Sequence, residues 1–110
     1  MIEIKIPTVF KPLLLETDDI EYLFELKKHE ISLKLAEAIL YCVKKKKKKI
    51  TFAELNIEGE ENIMSLEIHE QDFIKSLDEI MPTFIKHEEY EWCAEIIKLK
   101  EKIKRNLGTL

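Results

Sequence analysis

Lys44, Lys45, Lys46, Lys47, Lys48 and Lys49 form an unbroken run of six cations in a chain whose net charge is −4. With those charges set aside, the remainder of the chain carries −10. A run of ammonium groups has one obvious chemistry: it neutralises phosphates and releases their counterions, without reading any base. The same run also has a purely structural reading. Lys44 and Lys45 fall in the last turn of a helical pattern, where each cation gains about 0.3–1 kcal/mol from the helix dipole. The lysines that follow would guard the start of a strand against edge pairing. Like charges three or four apart on a helix repel by about 0.2–0.5 kcal/mol per pair, so six in a row exceeds what capping asks. Against phosphate binding stand the absence of an interleaved aromatic platform and the acidic field of the whole chain.

Other reactive side chains are scattered. His29, His69 and His87 form no His-x-x-x-His or Glu-x-x-His pair, and there is no Cys-x-x-Cys, so spacing offers no zinc or di-iron site. His69 with Asp72, and His87 with Glu91, are local acid–base pairs of a kind any charged helix carries. Gly59 and Gly108 are the only glycines, too few for a phosphate-cradling loop. No serine sits in a nucleophile elbow. The expectation is a non-enzyme with no catalytic residue, cofactor or metal. Cys42 and Cys93 lie within apolar helical patterns and read as buried free thiols.

These side chains need elements to position them, and 110 residues suit one domain with one core. Ile2, Ile4 and Ile6 alternate with Glu3 and Lys5, the period of a half-buried strand. Pro7 and Pro12 bracket an extended connection. Asp18, with Glu21 three residues on, reads as a helix cap, followed by Ile20, Leu23 and Phe24 on a short helix ending near His29. Ile31, Leu35, Ile39 and Cys42, widened by Ala36, Leu40 and Val43, describe a central helix over 31–45. Whether it breaks from the first at His29–Glu30 or runs on is open.

Beyond the lysines, Ile50-Thr51-Phe52 reads as a strand, and Leu55 and Ile57 continue it in the opposite parity, which calls for a bulge near Ala53–Glu54. Glu58 to Asn62 is a turn, and Met64, Leu66 and Ile68 mark the return strand. Phe73, Ile74, Leu77, Ile80 and Met81 mark a helix kinked or broken at Pro82. After Lys86-His87-Glu88, a final helix over 89–106 carries Trp92, Ile96, Leu99, Ile103 and Leu107 on one stripe. The two form an antiparallel αα-hairpin over about 70–106. The fold class is α+β: a small antiparallel sheet, made of the N-terminal strand plus the hairpin, packed with the central helix and the helical hairpin.

Charge is unevenly spread. Residues 50–91 hold twelve acidic and two basic side chains, whereas residues 92–110 hold five basic and two acidic. The simplest account is that the lysine run and the last helix face the acidic segment within the fold. The N-terminus lacks the basic and apolar regions of a signal peptide. Apolar runs such as Ala38 to Val43 are far short of a membrane span. A cytoplasmic protein without membrane contact is expected. The heavy use of Ile, Glu and Lys fits an AT-rich gene, phage and mobile elements included.

Glu89-Tyr90-Glu91-Trp92-Cys93-Ala94-Glu95-Ile96 resembles the second helix of a UVR motif, in which an aromatic-Glu-x-small-Ala core opens the helix. Tyr90, Glu91, Cys93 and Ala94 match that core, while Ile97 and Lys98 replace the motif's usual Arg-Asp pair. The resemblance covers about a quarter of the chain and implies a protein-binding hairpin. The leading expectation is therefore a non-enzymatic interaction module that engages another protein, or itself as a homodimer, through Tyr90, Trp92, Ile96, Leu99 and Ile103 and its acidic surface. The alternatives are a nucleic-acid accessory protein using Lys44 to Lys49 with Lys98, Lys100, Lys102 and Arg105, or an acidic nucleic-acid mimic.

Overall fold

The computed structural model describes residue 4 and residues 8–108. Its order is β1 (Leu13–Thr17), α1 (Ile20–Leu26), α2 (Lys28–Lys45), β2 (Lys49–Ile57), β3 (Ile63–His69), a 3₁₀ turn (Glu70–Asp72), α3 (Phe73–Lys86) and α4 (Tyr90–Gly108). This is the α+β class with a C-terminal helix pair. The sheet has the order β1-β2-β3.

The sheet is mixed rather than antiparallel. β2 and β3 form the antiparallel hairpin, but β1 lies parallel to β2, with Leu13 opposite Ala53 and Leu15 opposite Leu55. The reason is the connection. Between β1 and β2 the chain crosses back through α1 and α2, and a strand entered from the same end as its neighbour must run parallel to it. Leu13-Leu14-Leu15 follows Pro12 without alternation, so period gave no warning of this strand. The expected strand over Ile2 to Ile6 lies outside the described residues except for Ile4, which belongs to no strand and packs on the core half-buried.

The helix start at α1 is set one residue later than the Asp18 cap expected. The Thr17 hydroxyl donates to the Asp19 carbonyl and accepts from the Asp19 amide, both at 2.9 Å. That holds Asp19 extended, and its carboxylate accepts from the Tyr22 amide. Lys27 alone separates α1 from α2: its backbone leaves helical angles (φ −103°, ψ 16°), yet its amide donates to Leu23 and its carbonyl accepts from Ile31.

The bulge exists, with the register shifting between Thr51 and Ala53. It frees Phe52 to pack on both apolar clusters. One joins Leu15, Leu23, Ala53 and Leu55 beneath the sheet. The larger joins Ile39, Cys42 and Ile68 with Phe73, Leu77 and Phe84 of α3 and Ile96, Leu99 and Ile103 of α4. Ala36 and Ala38, fully buried on α2, keep that helix slim enough to be packed from both sides.

α3 does not break at Pro82. The proline cannot donate to the Asp78 carbonyl, but Thr83 and Phe84 just beyond it are buried, and that packing holds the helix continuous. Its C-terminus closes with Glu88 in the left-handed region (φ 56°) and the Glu89 amide donating to Phe84. α4 then returns along α3.

Candidate functional site

Lys44 and Lys45 complete α2, Lys46 terminates it, and Lys49 opens β2. Lys46 adopts a left-handed conformation (φ 57°), and the amides of Lys46 and Lys47 both donate to the Cys42 carbonyl. The Lys48 carbonyl accepts from the Glu70 amide at 2.7 Å, which ties the end of the run to the start of the 3₁₀ turn. The backbone of this segment is thus fixed while all six side chains are exposed.

Among the described residues no ion pair neutralises the run. Ion pairs among the described residues join Lys27 to Glu30, Lys34 to Glu37 and Lys100 to Asp78. None involves Lys44 to Lys49. The sheet explains this. Glu58, Glu60 and Glu61 follow β2, and nine residues of strand carry them about 25–30 Å away. There Glu16, Asp18 and Glu58 surround a separate recess with Thr17 and Asn56. β3 then returns toward the lysines, with Glu67 opposite Thr51 and Glu70 lining a cavity with Lys46 and Lys47, so the separation of charge holds for Glu58 to Glu61 and not for the whole acidic segment.

α4 supplies further cations to the basic end. Lys98 and Lys102, one turn apart, line a cavity of about 180 Å³ with Lys44. Ile4, Leu40, Val43 and Leu99 supply its apolar lining, and Glu95 lines it as well. On the other side of Val43 lies a second cavity of about 130 Å³, lined by Lys46, Lys47 and Glu70 over Phe73 and Ile103, with Asn106 beside them. Lys100 takes no part, being engaged with Asp78 of α3. Arg105 is exposed on α4.

The stripe expected to bind a partner faces inward. Ile96, Leu99 and Ile103 are buried in the main cluster, and Trp92 is half-buried, tilted against Phe84 at 5.9 Å. Tyr90 is exposed, and on its side of α4 Ala94 and Ile97 are exposed as well. A helix next to a core must turn its widest apolar face inward, so the residues free to meet a partner are those outside the stripe. The side chain of Leu107 lies outside the described residues.

The histidines pair differently from their sequence neighbours. His69 lies 3.4 Å from Glu67 rather than against Asp72. His87 stacks on His29, whose Nε2 lies 3.2 Å from a Glu89 carboxylate oxygen. Nothing local in sequence signals this cluster, because α2 and the α3–α4 turn meet only in the fold. Among the described residues no three His, Cys, Asp or Glu side chains converge to hold a metal ion, and no helix is long and apolar enough to cross a membrane.

Both thiols are free. Burial pushes the Cys42 thiol up to about 11, against a smaller lowering by Lys47. Burial also raises Cys93, with its own backbone lowering and Glu89 raising it further. Comparison with known protein families, curated proteins and solved structures finds no match to this chain. Function must be argued from its own surfaces.

Proposed function

We propose that this protein is a nucleic-acid-binding accessory protein that grips the phosphate backbone with the basic end of its fold. The observation that carries the reading is the fixed, exposed run Lys44 to Lys49, in no ion pair with a carboxylate among the described residues and joined across a cavity by Lys98 and Lys102. The net charge of −4 opposes it less than its size suggests, because Glu58, Glu60 and Glu61 at the far end of β2 lie farther off than the roughly 8 Å over which salt screens exposed charges, and the carboxylates that share the basic end are Glu70 and Glu95. Titrating a labelled oligonucleotide at several salt concentrations tests it. Log affinity should fall linearly with log salt, by about 0.7 per phosphate contacted for a single strand. Replacing Lys46 to Lys49 by Gln should weaken binding to every sequence alike; unchanged affinity rejects the reading.

A second reading rests on the outward side of α4, where Tyr90 and Ile97 are 63% and 54% exposed. That surface suits association with another protein or a second copy. Light scattering separates the two, since a strict monomer at high concentration removes self-association.

A further inference from the structure

Two recesses flank Val43 at the basic end, and each pairs an apolar floor with a lysine rim. In one, Lys44, Lys98 and Lys102 stand over Leu40 and Leu99. In the other, Lys46 and Lys47 stand over Phe73 and Ile103. A surface that only tracked phosphates would need neither floor. Each rim also holds one carboxylate, Glu95 in the first and Glu70 in the second. A carboxylate repels a phosphate, but it is the natural acceptor for the exocyclic amino group of a base.

We infer that the basic end takes single-stranded nucleic acid, with bases entering the recesses beside Val43 and the backbone crossing the lysines between them. This rests on the nucleic-acid reading above and adds the form of the ligand. Volumes of about 130 and 180 Å³ fall below the roughly 300–1,000 Å³ of a site for a drug-sized molecule. They admit a single ring system each, not a whole dinucleotide. In a duplex the bases are stacked and paired inside, so only phosphates would reach the lysines and both apolar floors would stay empty. Single strands present bases and phosphates together, and proteins that bind them combine a basic groove with aromatic faces on which the bases stack; among the residues lining the two recesses Phe73 is the one aromatic ring, and the other recess is aliphatic.

The test uses the unaltered protein and three ligands of equal length, about twelve nucleotides, within the usual range of site sizes: a cytidine strand, an abasic strand with the same phosphates, and a duplex. The cytidine strand should bind about tenfold or more tightly than either of the others, a difference of roughly 1.4 kcal/mol. All three should weaken with salt. Equal affinity for the cytidine and abasic strands overturns base entry while leaving backbone binding intact, and so does a duplex that binds as tightly as the single strand. No binding to any of the three removes both readings. The variant Val43→Lys, which keeps the backbone and adds a cation between the recesses, should lower affinity for the cytidine strand and raise it for the abasic one. A rise for both strands counts against base entry.

Discussion

His29 at the start of α2 and His87 in the α3–α4 turn lie face to face, their ring centroids 3.9 Å apart and their planes within 4° of parallel. Beside them His29 Nε2 and Glu89 Oε2 are 3.2 Å apart. Neither of these two atoms is open to solvent or makes a hydrogen bond. The cluster holds the tip of the helical hairpin against the elbow between α1 and α2, far along the chain from either histidine's neighbours. Glu89→Ala should cost about 1–3 kcal/mol, because it takes away the carboxylate 3.2 Å from a buried ring nitrogen that has no hydrogen bond to fall back on. His87→Ala removes only the ring contact and should cost about 0.5–1.5 kcal/mol. Urea unfolding of both variants checks the order, and a larger loss for His87→Ala would contradict it.

Lys46 occupies a backbone position better suited to glycine. A left-handed conformation costs an L-residue roughly 1–2 kcal/mol, and helices often end on glycine for this reason. Lys46→Gly should therefore raise stability by about 1 kcal/mol, with part of the gain offset by the freer unfolded chain. On the nucleic-acid reading, it should also remove one phosphate contact and flatten the salt dependence by about 0.7 in a single-strand titration. A variant that is more stable and binds less tightly is the expected outcome.

Cys42 makes stability fall in alkali. Its thiol is fully buried and its ionisation is raised from 9.0 to about 11 on folding. The unfolded chain loses this proton first, so between pH 9 and 11 the folded state binds more protons and stability drops as pH rises. The stabilisation is complete below the unfolded value and is lost on passing through the folded one, a change of up to roughly 3 kcal/mol. Cys42→Ala should flatten the alkaline limb of a stability–pH curve, at some cost from the cavity it leaves. Alkylation at neutral pH should label the half-buried Cys93 before Cys42.

Much of the fold was legible in the sequence, and the failures have physical causes. Periods of two and of about 3.6 residues marked the hairpin, the central helix and the final pair, because each buries one face. The change of parity beyond Phe52 announced the bulge. β1 was missed because Leu13-Leu14-Leu15 has no alternation, although only Leu15 is buried and Leu14 is 75% exposed. At Pro82 the sequence allowed a kink or a break, and the break does not occur because tertiary packing of Thr83 and Phe84 outweighs the local penalty. For the site, the lysine run was plain but its partners were not. Charge totals by segment placed it opposite the acidic stretch, whereas β2 carries Glu58 to Glu61 to the far end, and Glu67 and Glu70, which β3 brings back, form no ion pair with the run among the described residues. The stripe of α4 was correctly seen as apolar, but periodicity alone cannot say whether such a face meets its own core or another chain.

Lys98 and Lys100 are two residues apart on α4, and the fold assigns them to opposite sides. Lys98 lines the cavity shared with Lys44, whereas Lys100 pairs with Asp78 on α3. Composition alone would count both as contributors to a basic surface. Lys98→Gln should weaken oligonucleotide binding by about two- to fivefold, the effect of one exposed charge contact worth roughly 0.4–1 kcal/mol, and should leave stability nearly unchanged. Lys100→Gln should leave binding unchanged. It should cost up to about 1 kcal/mol of stability, an upper figure because Asp78 is more than half exposed and solvent screens the pair. Anisotropy titrations and chemical unfolding on the same two variants measure both quantities. If both lysines weaken binding equally, the ligand meets the general field of α4 and not the cavity between α2 and α4.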